Sequence, residues 1–99
     1  MNKYRSHKCN ELRKKNVGSK ISLAGWINKK RDHGNLLFID LRDNYGLTQC
    51  IIDKDNPNFD VIEKIQLETV VKIVGEVVNR SKETINTEIE TGEIEVAIE

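Results

Sequence analysis

The sequence predicts an all-β barrel of five strands with short helices. Three observations predict it. Five apolar stretches alternate with period two, glycines interrupt two of them, and one helical stretch falls between the third and fourth. A glycine inside a strand marks a bulge or a tight bend of the kind a barrel needs.

Residues 9–17 hold helix formers ahead of Gly18, which predicts a short N-terminal helix near 9–15 with Leu12 inward. Residues 21–31 read as the first strand, with Ile21, Leu23 and Ile27 on one face and Gly25 between them. Residues 31–35 form a turn, 36–42 the second strand, 43–46 a second turn and 47–53 the third strand. Past the only proline, Pro57, residues 59–65 predict a helix capped by Asn58, with Phe59, Ile62 and Ile65 inward. Residues 68–80 make the fourth strand, with Gly75 in its middle. Residues 81–91 are polar and read as a loop, with a hairpin around Glu83 and Thr84. In 93–99, Ile94, Val96 and Ile98 point in, while Glu93, Glu95, Ala97 and Glu99 point out. Three strands, a helix and two strands is the order of the five-stranded Greek-key OB barrel. A five-stranded SH3-like barrel is the alternative, but it has no natural place for that helix.

A chain of 99 residues has room for one domain, spanning 1–99, and one core. No apolar run approaches the ~20 residues of a membrane span. Met1 to Lys8 lack an apolar signal core, so the chain is read as cytoplasmic, with no membrane partner. Cys9 and Cys50 read as free thiols, and no CxxC or HxxxH spacing implies a zinc site. Net charge is zero, yet residues 1–31 carry ten basic residues against Glu11 alone. That end is +9 and the remainder −9, so one end attracts phosphate while the whole stays neutral.

On the second strand, Leu37, Ile39 and Leu41 share the core face, and Phe38 shares the other with Asp40 and Arg42. An aromatic ring there is either covered by a neighbouring segment or a platform for a nucleic-acid base. Parity gives Gln49 access to the same face, directs Arg80 to solvent beside Lys72 and Glu76, and turns Glu95 outward. Gln, Arg and Glu side chains can each bond base edges. Lys29, Lys30 and Arg31 run into a loop that flanks an OB groove and would hold phosphates. Trp26 reads as core packing and His33, beside Gly34, as a solvated turn residue. No Ser/His/Asp set, pocketed carboxylate pair or phosphate-cradling glycine loop implies a self-contained enzyme.

Several stretches together resemble the N-terminal anticodon-binding domain of bacterial aspartyl-tRNA synthetases, over essentially the whole chain. They are Lys3-Tyr4-Arg5-Ser6-His7, Gly25-Trp26, 29–34 (Lys-Lys-Arg-Asp-His-Gly), 38–43 (Phe-Ile-Asp-Leu-Arg-Asp) and 91–96 (Thr-Gly-Glu-Ile-Glu-Val). Gly-Trp and Leu-Arg-Asp also occur in asparaginyl- and lysyl-type relatives. Asp32-His33-Gly34 and the 91–96 stretch favour the aspartyl type. The resemblance implies that Phe38 stacks on the middle anticodon base and that Arg31, Gln49, Arg80 and Glu95 contact anticodon bases. Family members often have three arginines where this chain has Lys29, Lys30 and Arg31, so Lys29 and Lys30 are assigned to the tRNA backbone.

By the same resemblance, histidine at the position of His33 is the pattern of relaxed enzymes that charge both tRNA(Asp) and tRNA(Asn). Strict enzymes often have leucine there. Thr84 is the second discriminating position and matches neither pattern. A catalytic domain binding ATP and Mg2+ would follow residue 99, in a homodimeric parent. The fragment itself is expected to hold no cofactor, metal or catalytic residue. Its end in mid-strand pattern at Ile98-Glu99 reads as a cut piece. The competing reading is a free-standing OB adaptor for single-stranded nucleic acid, protein or oligosaccharide.

Overall fold

A computed structural model describes residues 7, 9, 11–80, 85–87, 89 and 91–99. Among these residues five strands close a barrel. They are β1 (Lys20–Asp32), β2 (Leu36–Arg42), β3 (Leu47–Asp53), β4 (Val70–Asn79) and β5 (Ile94–Ile98). Their spatial order is β1-β2-β3-β5-β4, and the helix α1 (Phe59–Lys64) joins β3 to β4. This is the OB barrel the element order predicts. The first three strands form an antiparallel meander. β5 closes the barrel, parallel to β3 with Cys50 opposite Val96, and antiparallel to β4.

β1 serves two neighbours. Lys20 to Trp26 pair with β4, and Trp26 to Asp32 pair with β2. The strand must bend where it changes partner, and Gly25 sits there. A Cβ on Gly25 would lie 2.3 Å from the Arg42 carbonyl oxygen, so only glycine allows the two backbones this close. Gly75 is pinched in the same way, 2.3 Å from the Ala97 carbonyl oxygen.

The bulge lies elsewhere. Ile27 faces Leu41 while Lys29 faces Asp40, so Asn28 is the extra residue. One inserted residue reverses the alternation that follows it. Lys29 and Arg31 therefore stand on the outer face, opposite Asp40 and Phe38. Lys30 pairs with buried Ile39 and takes the inner parity.

Ile21, Leu23, Ile39, Leu41, Ile52 and Val96 are among the residues that fill the interior. Each such side chain contributes roughly 1.5–3 kcal/mol by leaving water. Phe59 is buried at the start of α1, and Ile62 and Ile65 pack against the core. Asn58 precedes the helix without a side-chain cap bond; its own N–H donates to Asn56 Oδ1 at 2.8 Å.

The N-terminal expectation needs correction. Among the described residues ahead of β1, only Lys14–Asn16 is helical, a single 3-10 turn. Cys9 and Leu12 are fully buried in the core. The Cys9 N–H donates to Asp43 Oδ2 at 2.9 Å, and Thr48 Oγ1 donates to the Cys9 carbonyl at 2.6 Å. Arg13 is extended, and its N–H donates to Asn16 Oδ1 at 2.9 Å. A helix over 9–15 would pair the Arg13 N–H with the Cys9 carbonyl; Asn16 and Thr48 hold those two groups instead.

Trp26 is also corrected. It is half-buried on the outer parity of β1, between Arg42 and Val70 in register, rather than in the core. Cys9 and Cys50 are both buried, and no disulfide joins them. Among the described residues no helix is long and apolar enough to cross a membrane, and no cluster of three His, Cys, Asp or Glu is placed to hold a metal.

Candidate nucleic-acid interface

The outer face of β1, β2 and β3 carries an open cleft of about 530 Å³. Lys29, Arg31, His33, Phe38, Gln49 and Arg80 line it, joined by Asn28, Asp40, Arg42, Leu47, Asn86 and Ile89. Alternation explains the grouping: once the bulge has re-aimed β1, Lys29, Arg31, Phe38 and Asp40 all project from one surface. The hairpin between β1 and β2 holds the cleft's edge. His33 N–H donates to the Leu36 carbonyl, and Gly34 N–H donates to Asp32 Oδ1, each at 2.9 Å.

The floor is a chain of oriented hydrogen bonds. Arg31 Nη1 and Nη2 donate to Asp40 Oδ2 and Oδ1, both at 2.9 Å, in a two-pronged ion pair. Nη2 also donates to Gln49 Oε1 at 2.9 Å. Gln49 Nε2 donates to Glu95 Oε1 at 2.8 Å. The two carboxylates thus fix which way the Gln49 amide faces. Three bonds leave two of the five guanidinium N–H groups for a ligand. Gln49 keeps one amide N–H, and Glu95 keeps acceptor capacity. The hydrogen bond from Asp40 raises the Arg31 pKa above its ordinary value, against the pull of burial.

Two outward expectations fail here. Glu95 is 8% exposed, because the parallel β3–β5 pairing brings Gln49 over it. Arg80, just past β4, is also 8% exposed, and its Nε donates to the Ile94 carbonyl at 2.8 Å. Burial lowers the Arg80 pKa, while the nearby carboxylates of Glu95 and Asp40 push it back up. Arg80 lines the cleft as a constrained cation rather than a solvated one.

Phe38 is half-buried at the rim, its ring edge-to-face with His33 at a centroid distance of 4.9 Å and 76° between planes. Lys29 is exposed on the same face. Lys30 is not part of the cleft. Its inner parity carries the amine to the C-terminal end of α1, where Nζ donates to the carbonyls of Glu63, at 2.8 Å, and Ile65. A cation there also complements the helix dipole. Thr84 lies outside the described residues.

Sequence reasoning gave no role to Asp40, which anchors the floor. The signal was available: counting back from the turn pairs Arg31 with Phe38 and leaves Asp40 one diagonal step away on the same face.

The profile of the family described as "OB-fold nucleic acid binding domain" matches residues 21–99. An aspartate–tRNA(Asp/Asn) ligase of Pelagibacter ubique strain HTCC1062 is 70% identical over 98 residues, covering 99% of this chain and 16% of that protein. The protein of that name in Phenylobacterium zucineum strain HLK1 is 52% identical over 98 residues, covering 99% of this chain and 17% of its own length. The chain thus spans about a sixth of the length of these relatives. Among solved structures, asparaginyl-tRNA synthetase from Pyrococcus horikoshii complexed with asparaginyl-adenylate superposes with TM-score 0.77 at 25% identity. That match covers 93% of this chain and 20% of the other.

Proposed function

The chain belongs to the OB-fold nucleic acid binding domain family, and from that premise we propose that it reads the anticodon of tRNA(Asp) and tRNA(Asn) for an aspartate–tRNA ligase. The observation that carries the proposal is Phe38 standing beside a floor of pre-oriented donors and acceptors. An unstacked base needs both: an aromatic face to stack on, and fixed polar groups for its edge. Phe38 is the platform for the middle base. Arg31, Gln49, Arg80 and Glu95 are the edge-reading set. Lys29 holds phosphate, while the Lys30 amine is already engaged at α1.

The names of the relatives support the amino acid and the tRNA pair. In this reading residues 1–99 are one module of a longer cytoplasmic, dimeric enzyme. Its ATP and Mg2+ are held by a domain outside this chain. The aspartate and asparagine anticodons differ only in the third base, C against U. His33 sits at the cleft mouth beside Phe38, and imidazole can donate or accept a hydrogen bond, so it can serve either pyrimidine. Thr84 is the second position assigned to this choice.

Charging assays with the longer enzyme test the proposal. Purified tRNA(Asp) and tRNA(Asn) should both accept aspartate, and His33→Leu should shift the ratio toward tRNA(Asp). Charging of tRNA(Asp) alone would refute the dual specificity. Charging of neither would refute the function.

A further inference from the structure

We propose that Asp40 makes Arg31 a base-reading donor by cancelling its charge and fixing its plane. The inference rests on the anticodon-reading proposal above and assigns a specificity-determining positioning residue within that site.

A guanidinium in an RNA cleft has two uses. Unpaired, it is a cation that binds any phosphate and carries no sequence information. Held in one plane with its charge balanced, it becomes a directional donor. Arg31 is in the second condition. Both Asp40 oxygens engage it at 2.9 Å, and the Asp40 side chain is only 12% exposed against 40% for Arg31. The carboxylate lies beneath and the guanidinium faces the cleft. Lys29 is the contrast: exposed on the same face, it makes no ion pair among the described residues. The site thus separates a free cation for the backbone from a neutralised pair for the bases.

The effect extends beyond Arg31. Its Nη2 donates to Gln49 Oε1, so the Gln49 amide turns its Nε2 toward Glu95. Were Arg31 released to a phosphate, the amide would lose the donor that fixes it. Asp40 therefore orients two edge-reading side chains while being 8% exposed itself.

The test uses Asp40→Asn, which keeps shape and removes charge. Binding of this chain to an aspartate anticodon hairpin, and to hairpins with single anticodon substitutions, is measured across a salt series. The freed Arg31 should add one phosphate contact, steepening the log–log salt slope by about 0.7. Preference for the correct hairpin should fall roughly tenfold. If Asp40 served only to hold the fold together, the variant would weaken all hairpins alike and leave the slope unchanged; that result overturns the proposal.

Should Asp40→Asn fail to fold, the double variant Arg31→Gln with Asp40→Asn buries no lone charge. It should keep the wild-type slope and lose the preference. A slope shallower by about 0.7 would mean that Arg31 was contacting phosphate all along, and would also overturn it. Wild-type chain without any preference among hairpins removes the anticodon reading, and this inference with it. Wild-type preference with an unaltered Asp40→Asn removes the inference alone.

Discussion

Replacing Phe38 with alanine separates stacking from packing. Phe38 alternates with Leu37 and Ile39 and is not part of the buried core. Its ring contact with His33 is worth about 0.5–1.5 kcal/mol beyond the apolar burial of the half-buried ring, so the expected loss of stability stays below that of a core residue. Loss of a stacked base costs ~1–3 kcal/mol, or roughly 5- to 150-fold in Kd. The neighbouring control is Ile39→Ala: Ile39 is fully buried, and its truncation should cost about 2–5 kcal/mol. Fluorescence anisotropy with a labelled anticodon hairpin gives Kd, and urea melts give stability. Phe38→Ala should therefore bind poorly and lose less stability than Ile39→Ala, which should bind normally once binding is corrected for the folded fraction. A Phe38→Ala chain that loses as much stability as Ile39→Ala, yet binds with unchanged Kd, would refute the reasoning.

The adjacent lysines should separate in the same assays. Lys30→Ala should cost about 1 kcal/mol of stability through the lost bonds to α1 and leave the salt slope alone. Lys29→Ala should flatten the slope by about 0.7 and leave the urea midpoint unchanged. Gly25→Ala should destabilise by about 1–3 kcal/mol, because its Cβ meets the Arg42 carbonyl, and a wild-type urea midpoint would contradict that. Burial, reinforced by Cys9, Asp40 and Glu95, pushes the Cys50 thiol well up in the folded chain. An unfolded thiol loses its proton near pH 8.5, so this contribution is intact below that pH. Above it, stability falls by up to about 1.4 kcal/mol per pH unit. Any stability advantage of wild type over Cys50→Ala should shrink between pH 8 and 10, and a constant difference would refute the shift.

Local alternation carried most of the fold. The parity of Leu37, Ile39 and Leu41 against Phe38, the mid-strand glycines and the helix after Pro57 each follow from residues close in sequence. What alternation missed are contacts made across the chain. Outward on a barrel strand is not outward to water: Glu95 lies under Gln49 because β3 and β5 pair in parallel across 46 positions. Arg80 is buried by its bond to Ile94 at the far end of a loop. The Asn28 bulge is one polar residue in a polar stretch, so nothing local marks it, yet it decides that Arg31 faces the cleft and Lys30 faces α1. The N-terminal helix is shorter than expected for a related reason, since Thr48, 39 positions away, holds the Cys9 carbonyl that a helical Arg13 N–H would need.

We assign anticodon bases to the face bearing Phe38, Gln49 and Arg31. The most direct measurement is nitrogen-15 NMR of this chain titrated with an aspartate anticodon hairpin, following backbone amides, the Gln49 side-chain amide and the Arg31 Nε. Signals of Phe38, Gln49 and Arg31 should move with the hairpin and saturate together. The amide of Val61, exposed on α1, none of whose residues lines the cleft, should stay still. Saturating shifts at Val61, with the Gln49 amide and Arg31 Nε unmoved, would contradict this assignment.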